Sequence, residues 1–341
     1  VDLAAFDYPL PPSAIALAPA PRRDAARLLV IDRADRSLHD HVFADLPVLL
    51  RPGDCLVVND SRVIPARIAA VDGAGRPIEL LFTEPDGTGR WWALARPGRR
   101  GRPGVEVVAA GARLRIVATD ADGLRLVERL DGDVPSLLAA HGAPPLPPYI
   151  ERHRKPTLED RERYQTVYAR RDGSVAAPTA GLHFTPELLD RVRARGVEIH
   201  ELTLHVGPAT FRPITTRRVE DHRLPPERVT IPSAVADAVN AARRDGRRVV
   251  AVGTTTTRAL EGAVDADGRV VSRDGVVDLY ITPGHRFRVV SALITNFHLP
   301  RSSLLVLVSA FAGRELVLAA YRHALAAGYR FYSYGDATLI V

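Results

Sequence analysis

The chain has 341 residues, 46% of them hydrophobic and 25% charged, enough for one large domain or two ordinary ones with a sizeable core. A net charge of +6 and a pI of about 9.8 are compatible with a polyanionic partner, although the arginine excess over the single lysine, Lys155, is also what a GC-rich genome produces. The lone Cys55 excludes an intrachain disulfide framework, no secretory leader or apolar run of spanning length is present, and a soluble cytoplasmic protein without a membrane partner is expected; with no methionine even at position 1, the initiator is expected to be missing.

From 25 to 68, apolar runs (Leu28–Ile31, Leu56–Val58) alternate with turns at Gly53 and Asn59-Asp60 and read as strands. Cys55 opens the second run and reads as a small core residue. From 69 to 152 the texture changes. Short β-like runs at Ile78–Phe82, Trp91–Ala95, Leu114–Ala118 and Leu124–Leu130 are separated by Gly, Pro and Asp clusters, the pattern of a small antiparallel barrel. The string Ala143-Pro144-Pro145-Leu146-Pro147-Pro148 is stiff and extended and suits a domain boundary.

The stretch Tyr164–Phe184 is a poor core element. Its second half, Ala176 to Gly181, carries almost no side-chain bulk and then offers His183. That composition suits either close approach of a ligand to the backbone or a tightly packed turn. A helix follows at about 186–195, with Thr185 as N-cap, Pro186 at the first helical position and Gly196 as the stop. Beyond it the pattern is α/β. A strand is expected at Val197–Val206, a helix at 233–244, and a strand at Arg248–Val252 that runs into Gly253-Thr254-Thr255 and a short helix. Further strands are expected at 289–295, Arg330–Ser333 and Thr338–Val341, and helices at 302–311 and 314–327.

Five apolar runs end in polar or Gly-rich strings: Asn59-Asp60-Ser61-Arg62, His205-Val206-Gly207, Gly253-Thr254-Thr255, Thr295-Asn296-Phe297-His298 and Ser333-Tyr334-Gly335-Asp336. Strand ends of this kind are where α/β folds bind ligands. Taken singly, each also has a plain reading as a turn, a helix cap or a satisfied core histidine. No metal template, Walker loop, Gly-x-Gly-x-x-Gly fingerprint or Gly-x-Ser-x-Gly elbow is present; no metal site is expected, and a Rossmann cofactor fold is disfavoured.

Together these strings closely resemble the S-adenosylmethionine:tRNA ribosyltransferase-isomerase family of queuosine biosynthesis, over nearly the whole length. The strongest pieces are GDCLVVNDSRVIPAR (53–67), LPPYI (146–150), YQTVYA (164–169), AAPTAGLHF (176–184), LHVGPATFRP (204–213), VGTTTTRALE (252–261), LITNFHLPRSS (293–303) and YRFYSYGDATLI (329–340). The resemblance implies a mixed α/β fold, with a main domain of 1–68 plus 153–341 and a small antiparallel β-barrel of 69–152 inserted into it. It implies transfer and isomerisation of the ribosyl part of S-adenosylmethionine onto 7-aminomethyl-7-deazaguanine at the tRNA wobble position, with release of adenine and methionine. S-adenosylmethionine would be a co-substrate, with no prosthetic group. The tRNA anticodon loop would be the partner, and the protein a monomer or weak dimer.

The resemblance also implies roles. The base that removes the acidified 5′ proton would be His183, His205, His298 or Asp336. Substrate contacts would come from Asn59 and Asp60; Tyr164, Gln165 and Tyr168; Pro178, Thr179, Ala180, Gly181 and Phe184; Gly207; Thr254 and Thr255; Thr295 and Asn296; and Tyr334 and Gly335. Arg258 suits the methionine carboxylate, the aromatic rings of Tyr168, Phe184 and Tyr334 suit the sulfonium, and Arg62 and Arg67 suit anticodon-loop phosphates. Leu17, Ala26, Ala209, Pro225 and Ser303 depart from the family pattern. Pro225 stands where a histidine is usual, and proline cannot donate a hydrogen bond. An alternative reading is therefore a relative that cleaves S-adenosylmethionine but transfers to a small molecule; a non-catalytic RNA-binding protein is a third.

Overall fold

The computed structural model describes residues 1–154, 156–208 and 213–341. In chain order the strands are β1 (Arg27–Ile31), β2 (Leu38–Val42), β3 (Cys55–Asn59), β4 (Ser61–Val63), β5 (Arg67–Asp72), β6 (Pro77–Pro85), β7 (Trp91–Arg96), β8 (Glu106–Ala109), β9 (Ala112–Thr119), β10 (Arg125–Arg129), β11 (Arg171–Ser174), β12 (Glu198–Leu204), β13 (Glu227–Ile231), β14 (Val249–Val252), β15 (Arg273–Val277), β16 (Ala292–Asn296) and β17 (Ala337–Ile340). The chain forms two compact units. One comprises 1–61, 163–171 and 177–341, the other 62–162 and 172–176.

The larger unit is built on a sheet ordered β15-β13-β12-β3-β14-β16-β17-β1-β2. β12, β3, β14 and β16 run parallel. Both faces of such strands are covered, so they read as unbroken apolar runs, and every residue of β3, β14 and β16 is buried. β17 is antiparallel to β16, with Asn296 opposite Ala337, and parallel to β1, with Leu28 opposite Ala337. The C-terminal ends of the parallel strands and the N-terminal ends of β17 and β1 therefore share one edge. Strand-end strings hundreds of residues apart in sequence come together there by register alone.

The opposite edge is held by charge. Asp54, 2% exposed, receives a bidentate Arg248 guanidinium at 2.9 and 2.5 Å, and its Oδ2 also accepts the Arg51 N–H at 2.7 Å. Its backbone carbonyl accepts from Glu198. One residue thus ties together the beginnings of β3, β12 and β14. Cys55 beside it is fully buried, and burial pushes its thiol up to about 12.

The smaller unit is a closed antiparallel barrel, β10-β7-β6-β5-β8-β9, as its alternating apolar runs require. Ile78, Leu80, Phe82, Leu114, Ile116 and Val127 fill it, and helix Val134–His141, capped by Asp133, adds Val134, Leu137 and Leu138. The mixed α/β class with a barrel therefore holds. The proline-rich string lies within the barrel unit, where Ala143 bridges to Arg67 and Pro148 opens a helical turn.

The helix expected at 186–195 is present as Pro186–Ala194, with the Thr185 hydroxyl accepting the Leu188 N–H. The expected strand at Arg330–Ser333 is not formed. That segment makes one bridge, Ile15 to Phe331, and then turns with Tyr332 at φ 77°. The Asp336 carboxylate holds the turn by accepting the N–H groups of Arg27 and Arg330 at 2.9 and 2.7 Å, which leaves the backbone no strand partner to find.

Asp54→Asn keeps the shape but removes half of a buried bidentate pair. Stability in urea denaturation should fall by about 3 kcal/mol. A loss below about 0.5 kcal/mol would show that the sheet edge does not depend on this charge.

Candidate functional site

Asn59, fully buried at the end of β3, organises the shared edge. Its Nδ2 donates to Leu204 O at 2.9 Å and lies 3.4 Å from Thr255 Oγ1, while its Oδ1 accepts the N–H groups of Leu204 and Ser61 at 3.0 and 3.1 Å. The side chain thus fastens β3 to β12 and to the first turn of helix Thr254–Glu261. Ser61 then turns its hydroxyl onto His205 Nδ1 at 2.8 Å. Gly253, at φ 92°, starts the helix, and a methyl group there would meet Ala180 Cβ at 3.8 Å. The small-residue segment accordingly lies against the edge.

That segment forms a tight 3-10 turn, Thr179–His183, preceded by Pro178. Gly181 is required: a Cβ would lie 2.1 Å from the Tyr168 hydroxyl and 2.8 Å from Thr166 Cγ2. His183 stacks at 5.0 Å on Phe43, and its Nε2 lies 3.4 Å from Asn296 Nδ2. Asn296 also donates to Tyr332 O at 3.1 Å. Phe184 packs edge-on against Phe43 and Tyr168, and Tyr164 edge-on against Tyr334. Gln165 is half-buried between Tyr164 and Thr166. Three buried polar atoms around this turn have no hydrogen-bond partner among the described residues: Asn296 Oδ1, Tyr168 Oη and Thr166 Oγ1. Buried polar groups are normally satisfied, so three orphans around one tight turn single it out as the candidate site.

Next to the turn lies a small cleft lined by Arg23, Arg163, His183, Arg330, Tyr334 and Gly335, among others. Gly335 is forced by the close backbone of Arg330 and Phe331, 2.5 Å from where its Cβ would stand. Burial, then the nearby charges of Arg330 and Arg23, hold His183 down to about 3. His298 is also held to about 3 by burial. Its Nε2 is 2.9 Å from Thr295 Oγ1, its N–H donates to Tyr321 Oη, and its carbonyl accepts from Tyr8 Oη. Tyr8, from the N-terminal Phe6-Asp7-Tyr8-Pro9 string, and Tyr321 thereby clamp the 296–298 loop. Sequence reasoning did not nominate Thr166, Arg23, Arg163 or Arg330; the only signal was that Thr166 and Arg330 lie inside matched strings and Arg163 beside one, and Arg23 carried none.

Several nominated residues lie apart from the turn. Asp60 faces an open groove, where its carboxylate accepts the Thr203 hydroxyl at 2.6 Å and lies 3.9 Å from Arg170. Arg258 is buried and paired with Glu227, whose other oxygen holds the Gly207 N–H at 2.9 Å. Arg62 and Arg67 belong to the barrel unit. Arg62 is exposed and 3.8 Å from Asp172, whereas Arg67 is half-buried against Glu151 and Glu79 and its charge is already paired. Asp336, nominated as a base, has both carboxylate oxygens occupied by backbone N–H groups and acts as a brace for the turn. Ala209 lies outside the described residues. Among the described residues, no group of three His, Cys, Asp or Glu side chains could hold a metal, and no single helix is long and apolar enough to cross a membrane.

Two buried neutral histidines set a pH dependence. The unfolded chain binds protons near 6.5 and the native state only near 3, so stability is full above 6.5 and falls as pH drops through that window. The pair should add a slope approaching about 2.7 kcal/mol per pH unit between pH 4 and 5. Urea denaturation of a His183→Gln/His298→Gln chain should give a visibly shallower dependence; an identical slope would place the imidazoles in water.

Residues 3–340 match the family model described as queuosine biosynthesis protein. The chain is 52% identical to the S-adenosylmethionine:tRNA ribosyltransferase-isomerase of Thermus thermophilus, over 99% of both chains, and 49% identical to that of Geobacter metallireducens, over 98% of both. The crystal structure of S-adenosylmethionine tRNA ribosyltransferase from Thermotoga maritima matches with a TM-score of 0.56 at 36% identity, covering 99% of this chain and 100% of that one. By this end-to-end match in sequence and fold, the chain belongs to the queuosine biosynthesis protein family.

Proposed function

We propose that the chain is an S-adenosylmethionine:tRNA ribosyltransferase-isomerase acting in the cytoplasm. It moves the ribosyl group of S-adenosylmethionine onto 7-aminomethyl-7-deazaguanine of a tRNA anticodon loop and isomerises it, with adenine and methionine leaving. The observation that carries the reading is the cluster of orphaned polar atoms around the Thr179–His183 turn, at the sheet edge where the strand-end strings converge. From β12 to β16 that edge spans three strand spacings, about 14 Å, enough for a nucleoside with an extended amino-acid arm. An RNA-binding surface alone needs exposed basic and aromatic groups, not buried unpaired ones.

Roles follow from surroundings. His183 and His298 are too weakly basic, at about 3, to remove a carbon-bound proton near neutral pH. His298 is also committed to its loop. His183 instead supplies a neutral imidazole beside Asn296, suited to hydrogen-bonding the departing adenine. His205, half-buried at the far end of the edge and oriented through Nδ1 by Ser61, is the base that takes the 5′ proton acidified by the sulfonium. The faces of Tyr168, Phe184 and Tyr334 suit the sulfonium. Arg23, Arg163 and Arg330 in the adjoining cleft suit a phosphate or carboxylate.

His205→Ala should lower turnover by at least about 10²-fold while leaving S-adenosylmethionine affinity within twofold; undiminished turnover would remove it from the reaction. Gly181→Ala should abolish S-adenosylmethionine binding in calorimetry, because the new methyl group displaces the Tyr168 hydroxyl, yet leave tRNA binding intact. The reading as a whole is tested by incubation with S-adenosylmethionine and precursor-bearing tRNA. Adenine release without tRNA modification would favour a small-molecule acceptor.

A further inference from the structure

A second set of unsatisfied groups lies away from the Gly181 turn. Arg258, 6% exposed, donates through Nε to Leu279 O at 2.8 Å and through Nη1 to Glu227, but among the described residues its Nη2 has no partner. Tyr280, adjacent in sequence to the Leu279 carbonyl that Arg258 holds, packs edge-on against His222 with ring centroids 5.4 Å apart. Tyr280 Oη and His222 Nε2 are likewise buried and unpartnered. An orphaned guanidinium nitrogen, phenol and imidazole thus occur in one chain of contacts. Each unsatisfied group costs free energy that a bound partner would return.

Charge decides the kind of partner. The guanidinium is already neutralised by Glu227, which is buried and whose other oxygen is spent on Gly207. An anion would enter beside that carboxylate with no unpaired cation to receive it. What remains unfilled is hydrogen-bonding capacity: the fixed donors of Nη2, plus a phenol and an imidazole nitrogen that can each donate or accept. Alternating donors and acceptors in one plane are what the edge of a purine-type base presents.

We propose that Arg258, Tyr280 and His222 form a subsite for the edge of a neutral purine-type heterocycle. The choice of heterocycle rests on the reading under Proposed function, which supplies two: the adenine of S-adenosylmethionine and the deazaguanine of the tRNA. The ion pair to Glu227 holds the guanidinium in place and cancels its charge, so that the site selects by hydrogen-bond pattern.

The test is calorimetric binding of adenine, 7-aminomethyl-7-deazaguanine and L-methionine to the full chain and to Tyr280→Phe and His222→Gln, both conservative and leaving the Arg258–Glu227 pair intact. Each variant should weaken one heterocycle by about 5- to 10-fold and leave L-methionine unchanged; the heterocycle affected identifies the source. Weakened L-methionine binding with both heterocycles unaffected would overturn the proposal in favour of a carboxylate site. Unchanged affinity for all three would make the cluster purely structural and also overturn it. Because these are binding measurements, a chain that binds a heterocycle but does not modify tRNA would refute the proposed reaction while leaving the subsite standing.

Discussion

The side-chain amide of Asn59 is the interaction on which the rest of the site depends. The parallel run β12-β3-β14-β16 brings four strand ends to one edge, but parallel register fixes only their approximate height. Asn59 converts that alignment into a fixed arrangement by bonding both the N–H and the carbonyl of Leu204 and reaching Thr255. A leucine of similar size would leave the two backbone groups of Leu204 and the Ser61 N–H without their present partner, each a buried polar group in need of another. The Ser61–His205 contact and the placement of Gly253 against Ala180 both follow from this junction.

Two kinds of order meet at the edge. The opposite edge is closed by satisfied charges, with Asp54 receiving Arg248 and two neighbouring strands. The functional edge keeps polar atoms unsatisfied around Gly181 and again at Arg258. Satisfied charge is thus concentrated at the Asp54 end of the sheet, and unspent hydrogen-bonding capacity lies around the Thr179–His183 turn.

Much of this was readable in the sequence, for physical reasons. Buried parallel strands are apolar on both faces, so Leu56–Val58 and Val249–Val252 stand out, and the polar residues that end them are conspicuous by contrast. The Thr185-Pro186 start and Gly196 stop located a helix to within two residues. Less was readable where side-chain type does not encode its partner. Asp336 looks like a candidate base on a turn; only the positions of two backbone N–H groups show that it is a brace. Arg67 looks free to meet a phosphate until the fold brings Glu151 and Glu79 to it. Strands β5 and β8 lack the apolar–polar alternation of a half-buried strand, because Ala69, Val71 and Val108 put apolar residues on the exposed face as well. The role of Thr166 depends on an orphaned hydroxyl, a property that exists only after folding.

The buried thiol of Cys55 has a chemical consequence. A sulfonium is an alkylating agent, and a protein that holds one in a pocket exposes its own nucleophiles to methyl or alkyl transfer. The strongest such nucleophile would be a thiolate. Here the lone sulfur opens β3, at the end of the sheet opposite the site, fully buried and kept protonated by its surroundings. The chain can therefore house an electrophile of this class without inactivating itself.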